Sequence, residues 1–294
     1  MTAISMKRAG IIINPVSGGK DKKPVLELIR KHFPRNIDYD IIIWERADQK
    51  DEIIRKIQER KYDIVVAAGG DGTINQVAQA IKNTESILGI IPLGSGNGLA
   101  RHLKIPLDTR KSIELIGNGK VTTIDACTVN DNYFFCTSGI GFDALIGKLF
   151  AESKTRGFLT YFKLTFSNFI RYKPLAYTLT IDGKKVDTMA FLVTFANASQ
   201  YGNNAYIAPQ ADISDGFIDV VILKPFKFWQ VLFIGPKMFN KTLNTSRYVE
   251  VYKGQNIQLT RQSPGPVHFD GEPAEMETSI QYHISKGAVR AIVP

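Results

Sequence analysis

Three apolar runs in the first third of the chain each stop at a glycine-rich stretch and give way to helical spacing. The stretches are NPVSGGK at 14–20, GGDGT at 69–73 and PLGSGNG at 92–98. A β-run closed by glycines and followed by a helix is the connection of a parallel sheet with crossover helices, so this region reads as an α/β domain. The strands are expected at Ala9 to Asn14, Tyr39 to Trp44, Asp63 to Ala68 and Leu88 to Pro92. Between them Val25, Leu28, Ile29 and His32 share one helical face, as do Ile53, Ile54 and Ile57, and then Ile74, Val77, Ala78 and Ile81.

Glycine lets backbone N–H groups come close to an anion, and the helix that follows adds the positive end of its dipole. One such loop is an ordinary turn, whereas several at one sheet edge suit a polyphosphate. Neither a G-x-G-x-x-G after a strand nor a G-x-x-x-x-G-K-[ST] occurs, which excludes the two most familiar phosphate loops. Asp71 inside such a loop would repel phosphate unless a cation lay between them, so it points to magnesium; its structural alternative is to cap the next helix, a role that Thr73 could take instead.

After Val121 the text changes to hairpins. Tyr177 to Ile181 and Val186 to Phe195 flank an Asp182-Gly183 turn, and further strands are expected at Ile218 to Leu223 and after Tyr248. The 294 residues, 44% of them hydrophobic, therefore divide near Ile124 into an α/β half and a mostly β half with two helical inserts. Two cysteines make no disulfide framework. A turn at Asp131 and Asn132 would set Cys127 opposite Cys136, yet reduced core thiols suit the cytosolic compartment expected of a chain without a signal-peptide core or a membrane-length run.

The net charge of +9 favours an anionic partner. Residues 1–124 carry +6 of it and residues 125–294 carry +3, and in the latter the basic residues are segregated into two windows, 148–173 and 224–253, each with six basic residues and one acidic. Both also carry aromatics: Phe150, Phe158, Tyr161, Phe162, Phe166, Phe169 and Tyr172 in the first, Phe226, Phe228, Trp229, Phe233, Phe239, Tyr248 and Tyr252 in the second. Basic and aromatic side chains interleaved on amphipathic segments suit a peripheral site on an anionic membrane; the alternative is that the rings pack into the β-domain core. No recognition motif for nucleic acid accompanies the charge.

The chain resembles the diacylglycerol kinase catalytic family of bacterial lipid kinases, related to sphingosine and ceramide kinases. The likeness rests on NPVSGG at 14–19, GGDGTINQV at 69–77, PLGSGNGLAR at 92–101, ANASQYGNNAYIAPQADISDGFIDVVIL at 196–223 and HFDGEP at 268–273. It implies an NAD kinase/diacylglycerol kinase-like α/β domain at 1–124, to which 281–294 returns, and a sandwich-like β domain for the lipid at 125–280. It also implies a peripheral, cytoplasmic ATP-dependent kinase, with ATP as donor and magnesium as cofactor. Self-association into a homodimer is left open.

Carried over by position, Asn14, Ser17, Gly18, Gly70, Asp71, Gly72, Thr73 and Ser95 would contact ATP or the magnesium shell. A structural cation would take the Asp215 carboxylate with the backbone carbonyls of Asp212 and Phe217. In HFDGEP, Glu272 is the leading candidate for the base that takes the acceptor proton, and Asp270 either serves the turn or joins Asp71 around magnesium. The chain departs from many bacterial members at Gly98, where they carry an Asp, so one acid of the magnesium network is missing. Two other readings stand beside the lipid kinase: a kinase for a soluble substrate, of the NAD kinase type, and a non-catalytic nucleotide or lipid binder.

Overall fold

A computed structural model describes residues 6–14, 23–44, 46, 49–153 and 158–294. The chain divides into two compact units, one made of residues 1–124 with 287–294 and the other of residues 125–286. The first unit runs β1 (Lys7–Ile13), α1 (Lys23–His32), β2 (Ile37–Ile43), α2 (Lys50–Arg60), β3 (Ile64–Gly69), α3 (Asp71–Ala80), β4 (Ile87–Pro92), α4 (Gly98–His102) and α5 (Thr109–Asn118), and β5 (Lys120–Val129) leads out of it. Its strands lie in the order β2-β1-β3-β4, and every pair is parallel.

β3 is buried along its whole length, which is why IVVAAG is a continuous apolar run without alternation: a parallel sheet has both faces covered. Val25 and Ile29 of α1, Ile113 and Ile116 of α5, and Ile11, Ile13, Val66 and Ile91 of the strands form one core. Each such side chain, fully buried, contributes about 1.5–3 kcal/mol. α5 starts at Asp108, whose carboxylate accepts from the Lys111 N–H at 2.9 Å.

The second unit continues with β6 (Asn132–Phe134), β7 (Thr137–Gly141), α6 (Phe142–Glu152), α7 (Phe158–Phe169), β8 (Leu175–Ile181), β9 (Lys184–Ala190), β10 (Leu192–Ala196), β11 (Ile218–Leu223), α8 (Val231–Phe239), β12 (Val249–Gly254), β13 (Asn256–Arg261), β14 (Gly265–Phe269), β15 (Glu272–Met276) and β16 (Ser279–Val293). One antiparallel sheet runs β12-β11-β10-β7-β14-β15; facing it, the first part of β16 pairs with β13, followed by β8 and β9. This is a β sandwich. Strand residues alternate as the period of two requires, with Ile257, Leu259, Ile280 and Tyr282 turned inward, and Tyr282 stacks on Phe195 with ring centroids 3.6 Å apart. β10 and β11 are buried on both faces: Val193, Phe195, Val220 and Ile222 meet the sandwich core, while Leu192, Val221 and Leu223 meet a second core that includes Phe142, Ile146 and Ile234 from the helices.

Two local expectations are corrected. Val186 to Phe195 is not one strand, because the chain leaves β9 at Ala190 and enters β10, in the other sheet, at Leu192. The Asp182-Gly183 turn does form, with φ of 44° and 84° at its two residues, the signature of a type I′ hairpin. The β5–β6 hairpin pairs Val129 with Asn132, so its turn is Asn130-Asp131 and Cys127 faces Phe134. Asn130 takes the left-handed φ of 49°, and this one-residue slip removes the facing cysteines. Both cysteines are buried and form no disulfide, and burial holds the Cys127 thiol well above its ordinary pKa.

Candidate active site

β1, β3 and β4 are parallel, so the loops that leave their carboxyl ends lie at one edge of the sheet. Asn14 follows β1 and its N–H donates to the Ala68 carbonyl at 3.2 Å. Ser17 and Gly18 lie outside the described residues. Gly70 caps α3 in an extended conformation, without a side-chain cap, and Asp71 is the first residue of the helix. Neither Asp71 nor Thr73 is therefore the N-cap. A carboxylate in this first turn complements the positive helix end, so Asp71 has a structural use as well.

The second and third glycine loops touch backbone to backbone. The Leu93 N–H donates to the Gly69 carbonyl at 2.8 Å, and a Cβ on Gly94 would lie 2.7 Å from the Gly70 Cα. A Cβ on Gly69 would stand 2.5 Å from Thr73, which is buried. Asn97, at φ 51°, closes the third loop on itself: its Oδ1 accepts from the Gly94 N–H at 3.0 Å and its Nδ2 donates to the Gly94 carbonyl at 2.8 Å. Ser95 is left exposed at the tip, and Gly98 starts α4. Asn14, Gly70, Asp71, Gly72, Thr73 and Ser95 thus share one edge. An acid beside a helix N-terminus and two glycine turns fits a magnesium-bound phosphate: Asp71 is the residue that would hold the metal, and the backbone N–H groups those that would meet the anion.

HFDGEP forms the end of β14, a turn and the start of β15. Asp270 and Gly271 have φ of 48° and 85°, again a type I′ turn. Both Asp270 oxygens serve the backbone before β7: Oδ2 accepts from Phe135 N–H at 2.8 Å, and Oδ1 accepts from Cys136 at 2.8 Å and Thr137 at 3.0 Å. The Asp270 N–H returns a bond to the Thr137 carbonyl at 2.8 Å. Asp270 is a clip between two hairpins. Glu272, across the turn from Phe269, is the exposed carboxylate of the motif.

The 212–217 loop is closed differently from the expectation. Asp212 Oδ1 accepts from the Ser214 N–H and hydroxyl, at 2.9 and 2.7 Å. Asp215 Oδ1 accepts from the Phe217 N–H at 2.9 Å, and Oδ2 from the Lys253 ammonium at 2.7 Å. Lys253 also stands 3.6 Å from buried Asp219. Burial pulls the Lys253 pKa down, but the Asp215 and Asp219 carboxylates outweigh it and the pKa is raised; burial likewise raises Asp219. A cation on Asp215 does not fit this arrangement without displacing an ammonium.

Sequence reasoning missed a buried group beside the motif. Asp143, on the first turn of α6, meets His268, Tyr201 and Thr194. His268 lies within HFDGEP and was readable as a titratable neighbour of the carboxylates, whereas nothing local marks Asp143.

Comparison with known proteins bears on the whole chain. Residues 8–129 match the diacylglycerol kinase catalytic domain, and residues 137–293 match the YegS C-terminal NAD kinase beta sandwich-like domain. The chain is 28% identical over 275 residues to a diacylglycerol kinase of Bacillus subtilis (strain 168), covering 91% of this chain and 90% of that protein. It is 27% identical over 280 residues to a diacylglycerol kinase of Mycobacterium tuberculosis (strain ATCC 25618 / H37Rv), covering 90% of each. The crystal structure of a diacylglycerol kinase from Bacillus anthracis str. Sterne matches with a TM-score of 0.73 at 20% identity, over 98% of this chain and 97% of that one, a likeness of fold. With both of its units matched in order, the chain belongs to the diacylglycerol kinase and YegS-like family of lipid kinases.

Proposed function

We propose that the protein transfers the γ-phosphoryl group of ATP to a lipid hydroxyl, with diacylglycerol or a related lipid as acceptor. The observation that carries this reading is the division of labour in HFDGEP, where Asp270 holds the turn and Glu272 is exposed beside it. The glycine loops and the α3 N-terminus bind the phosphates, and Asn14 and Thr73 line the same edge. Bound magnesium supplies neutralisation of the phosphate charge, and Asp71 is the residue that would hold it. Glu272 accepts the proton of the attacking hydroxyl as the oxygen–phosphorus bond forms and ADP leaves.

The deciding experiment is ATP turnover with magnesium against detergent-dispersed diacylglycerol, monoacylglycerol, ceramide and sphingoid bases, with NAD as the soluble control. Transfer to a glycerolipid is expected. Transfer to NAD alone would establish the soluble-substrate reading, and no transfer to any acceptor would leave a binding protein.

The same reading includes peripheral attachment to an anionic membrane. Phe166 and Ile170 at the end of α7, Phe228 and Trp229 before α8, and Leu232, Phe233 and Phe239 on α8 are all exposed, Leu232 to 72% and Phe233 to 66%. Phe166 meets Phe228 edge-on at 6.4 Å, so the two segments form a common apolar surface. Lys227 and Lys241 are exposed with it. Rings at the acyl boundary with lysines at the headgroups are the arrangement of an interfacial helix.

A further inference from the structure

The hairpin that carries Glu272 is tied to α6 on both sides of that residue. Four residues before it, His268 Nε2 lies 3.2 Å from Asp143 Oδ2, and both side chains are more than nine-tenths buried. Three residues after it, Glu275 pairs with Lys148 at 2.6 Å. The buried contact is the specific one. Asp143 Oδ2 also accepts from Tyr201 Oη at 2.9 Å and from Thr194 Oγ1 at 3.3 Å, while Oδ1 accepts from the Ala144 N–H at 2.8 Å. A carboxylate accepts only, so Nε2 carries the hydrogen of the histidine contact. The Ser138 hydroxyl donates to the His268 carbonyl at 2.7 Å and fixes the same residue from its backbone.

Space for the pair is built into the neighbouring strand. Gly139 of β7 lies opposite His268, and a Cβ there would stand 2.3 Å from Asp143 Oδ2 and 2.6 Å from His268 Nε2. A side chain at Gly139 would displace the Asp143 carboxylate and the His268 ring from each other's reach. Burying a carboxylate carries a desolvation cost, and a buried polar network that meets it is used to specify one arrangement of the elements it joins. Here those elements are α6, β10, the Tyr201 loop and β14, and β14 leads directly into the turn before Glu272.

We infer that Asp143 and His268 are positioning residues for Glu272: through them α6 sets the height and tilt of the β14–β15 hairpin, and so the reach of the base. The inference rests on the kinase reading for its consequence in catalysis, but not for its geometry. A base displaced by a fraction of an ångström to an ångström loses rate without losing affinity for substrates that other residues bind.

The test uses His268→Leu, which removes the contact, His268→Gln, which keeps an N–H donor near the Nε2 position, and Tyr201→Phe, which removes one donor to Asp143 at nearly constant volume. Hydrogen exchange of the 269–272 amides is followed without substrate, with the β8–β9 amides as internal reference. The Leu variant is expected to exchange about tenfold faster at 269–272 alone, and Gln to return towards wild type. In turnover, kcat falls about tenfold to a hundredfold in the Leu variant with KM for ATP little changed, and Gln restores most of it. Should His268→Leu not fold, Tyr201→Phe carries the test, with a smaller change of the same sign in both readouts.

Unchanged exchange at 269–272 in the variants, or a Gln variant no better than Leu, overturns the positioning role. Exchange is read without turnover, so a wild-type protein that phosphorylates no acceptor overturns the kinase reading instead.

Discussion

Asp71, Asp270 and Glu272 are three carboxylates whose surroundings differ, and their substitutions should differ accordingly. On the proposed reading Asp71→Asn would remove the charge facing magnesium and Glu272→Gln the proton acceptor; each is expected to lower kcat by about 10²–10⁴ while the melting temperature stays near wild type. Near-wild-type turnover in both would sink the assignment. Asp270→Ala should behave as a structural lesion, because three backbone N–H groups lose a charged acceptor. A stability loss of roughly 3 kcal/mol by urea unfolding is expected, with Asp270→Asn intermediate since it keeps one acceptor oxygen. A fully stable Asp270→Ala would show that the clip contributes nothing. These roles were only half legible in HFDGEP: the spelling names two acids and a turn, but the N–H groups that claim Asp270 come from residues more than 130 positions away.

At the scale of elements, the 212–217 loop and β12 are joined through the Lys253 ammonium on Asp215 and Asp219. The Lys253 pKa is raised on folding, so its contribution is fully present below the unfolded lysine value of about 10.4 and is lost as pH climbs through the higher folded value. The melting-temperature gap between wild type and Lys253→Met should therefore be widest near neutrality and close as pH climbs beyond the unfolded lysine value. A gap that stays flat through that range would mean that the ion pair adds nothing. A magnesium ion at Asp215 would have to compete with Lys253 for one carboxylate, so added magnesium should raise the melting temperature of Lys253→Met more than that of wild type, and Asp215→Ala should abolish the difference. Equal responses in all three proteins would remove any cation from this loop. The DISDGF spelling announces the turn, with Gly216 at φ 82°, but a lysine arriving from β12 has no local signal.

Over the whole molecule, the two basic windows separate into inward and outward rings. Phe169, Tyr172, Phe226 and Tyr248 pack against the core that holds Phe142 and Phe191, while Phe166, Phe228, Trp229, Phe233 and Phe239 are exposed. The side chains of Phe158, Tyr161 and Phe162 lie outside the described residues. Among the described residues no helix is long and apolar enough to cross a membrane. Binding to vesicles should rise with the anionic lipid fraction, fall with salt, and weaken when Lys227, Lys237 and Lys241 are changed to Glu, as cosedimentation would show; attachment by charge falls off within a Debye length of about 8–10 Å. Cosedimentation indifferent to lipid charge, to salt and to these substitutions would remove the surface from the proposal. Replacing Trp229 and Phe233 by Ser in the same assay separates the apolar share from the charged one.

What the sequence by itself determined is what short-range chemistry can encode. The apolar runs and glycine turns before α3 and α4 announce the parallel sheet and its glycine-rich edge, because buried strands, left-handed turns and helix starts each have a residue signature within a few positions. Asp182-Gly183 and Asp270-Gly271 declare their hairpins for the same reason. Tertiary structure alone decided the rest: that Cys127 faces Phe134, that the chain changes sheets at Phe191, that Asp270 is claimed by β7, and that Asp143 meets His268 under the hairpin of Glu272. Each of these depends on which strand lies beside which. Pairing between distant segments is selected by the burial of whole faces and the satisfaction of buried polar groups, and neither quantity exists until the chain has closed on itself.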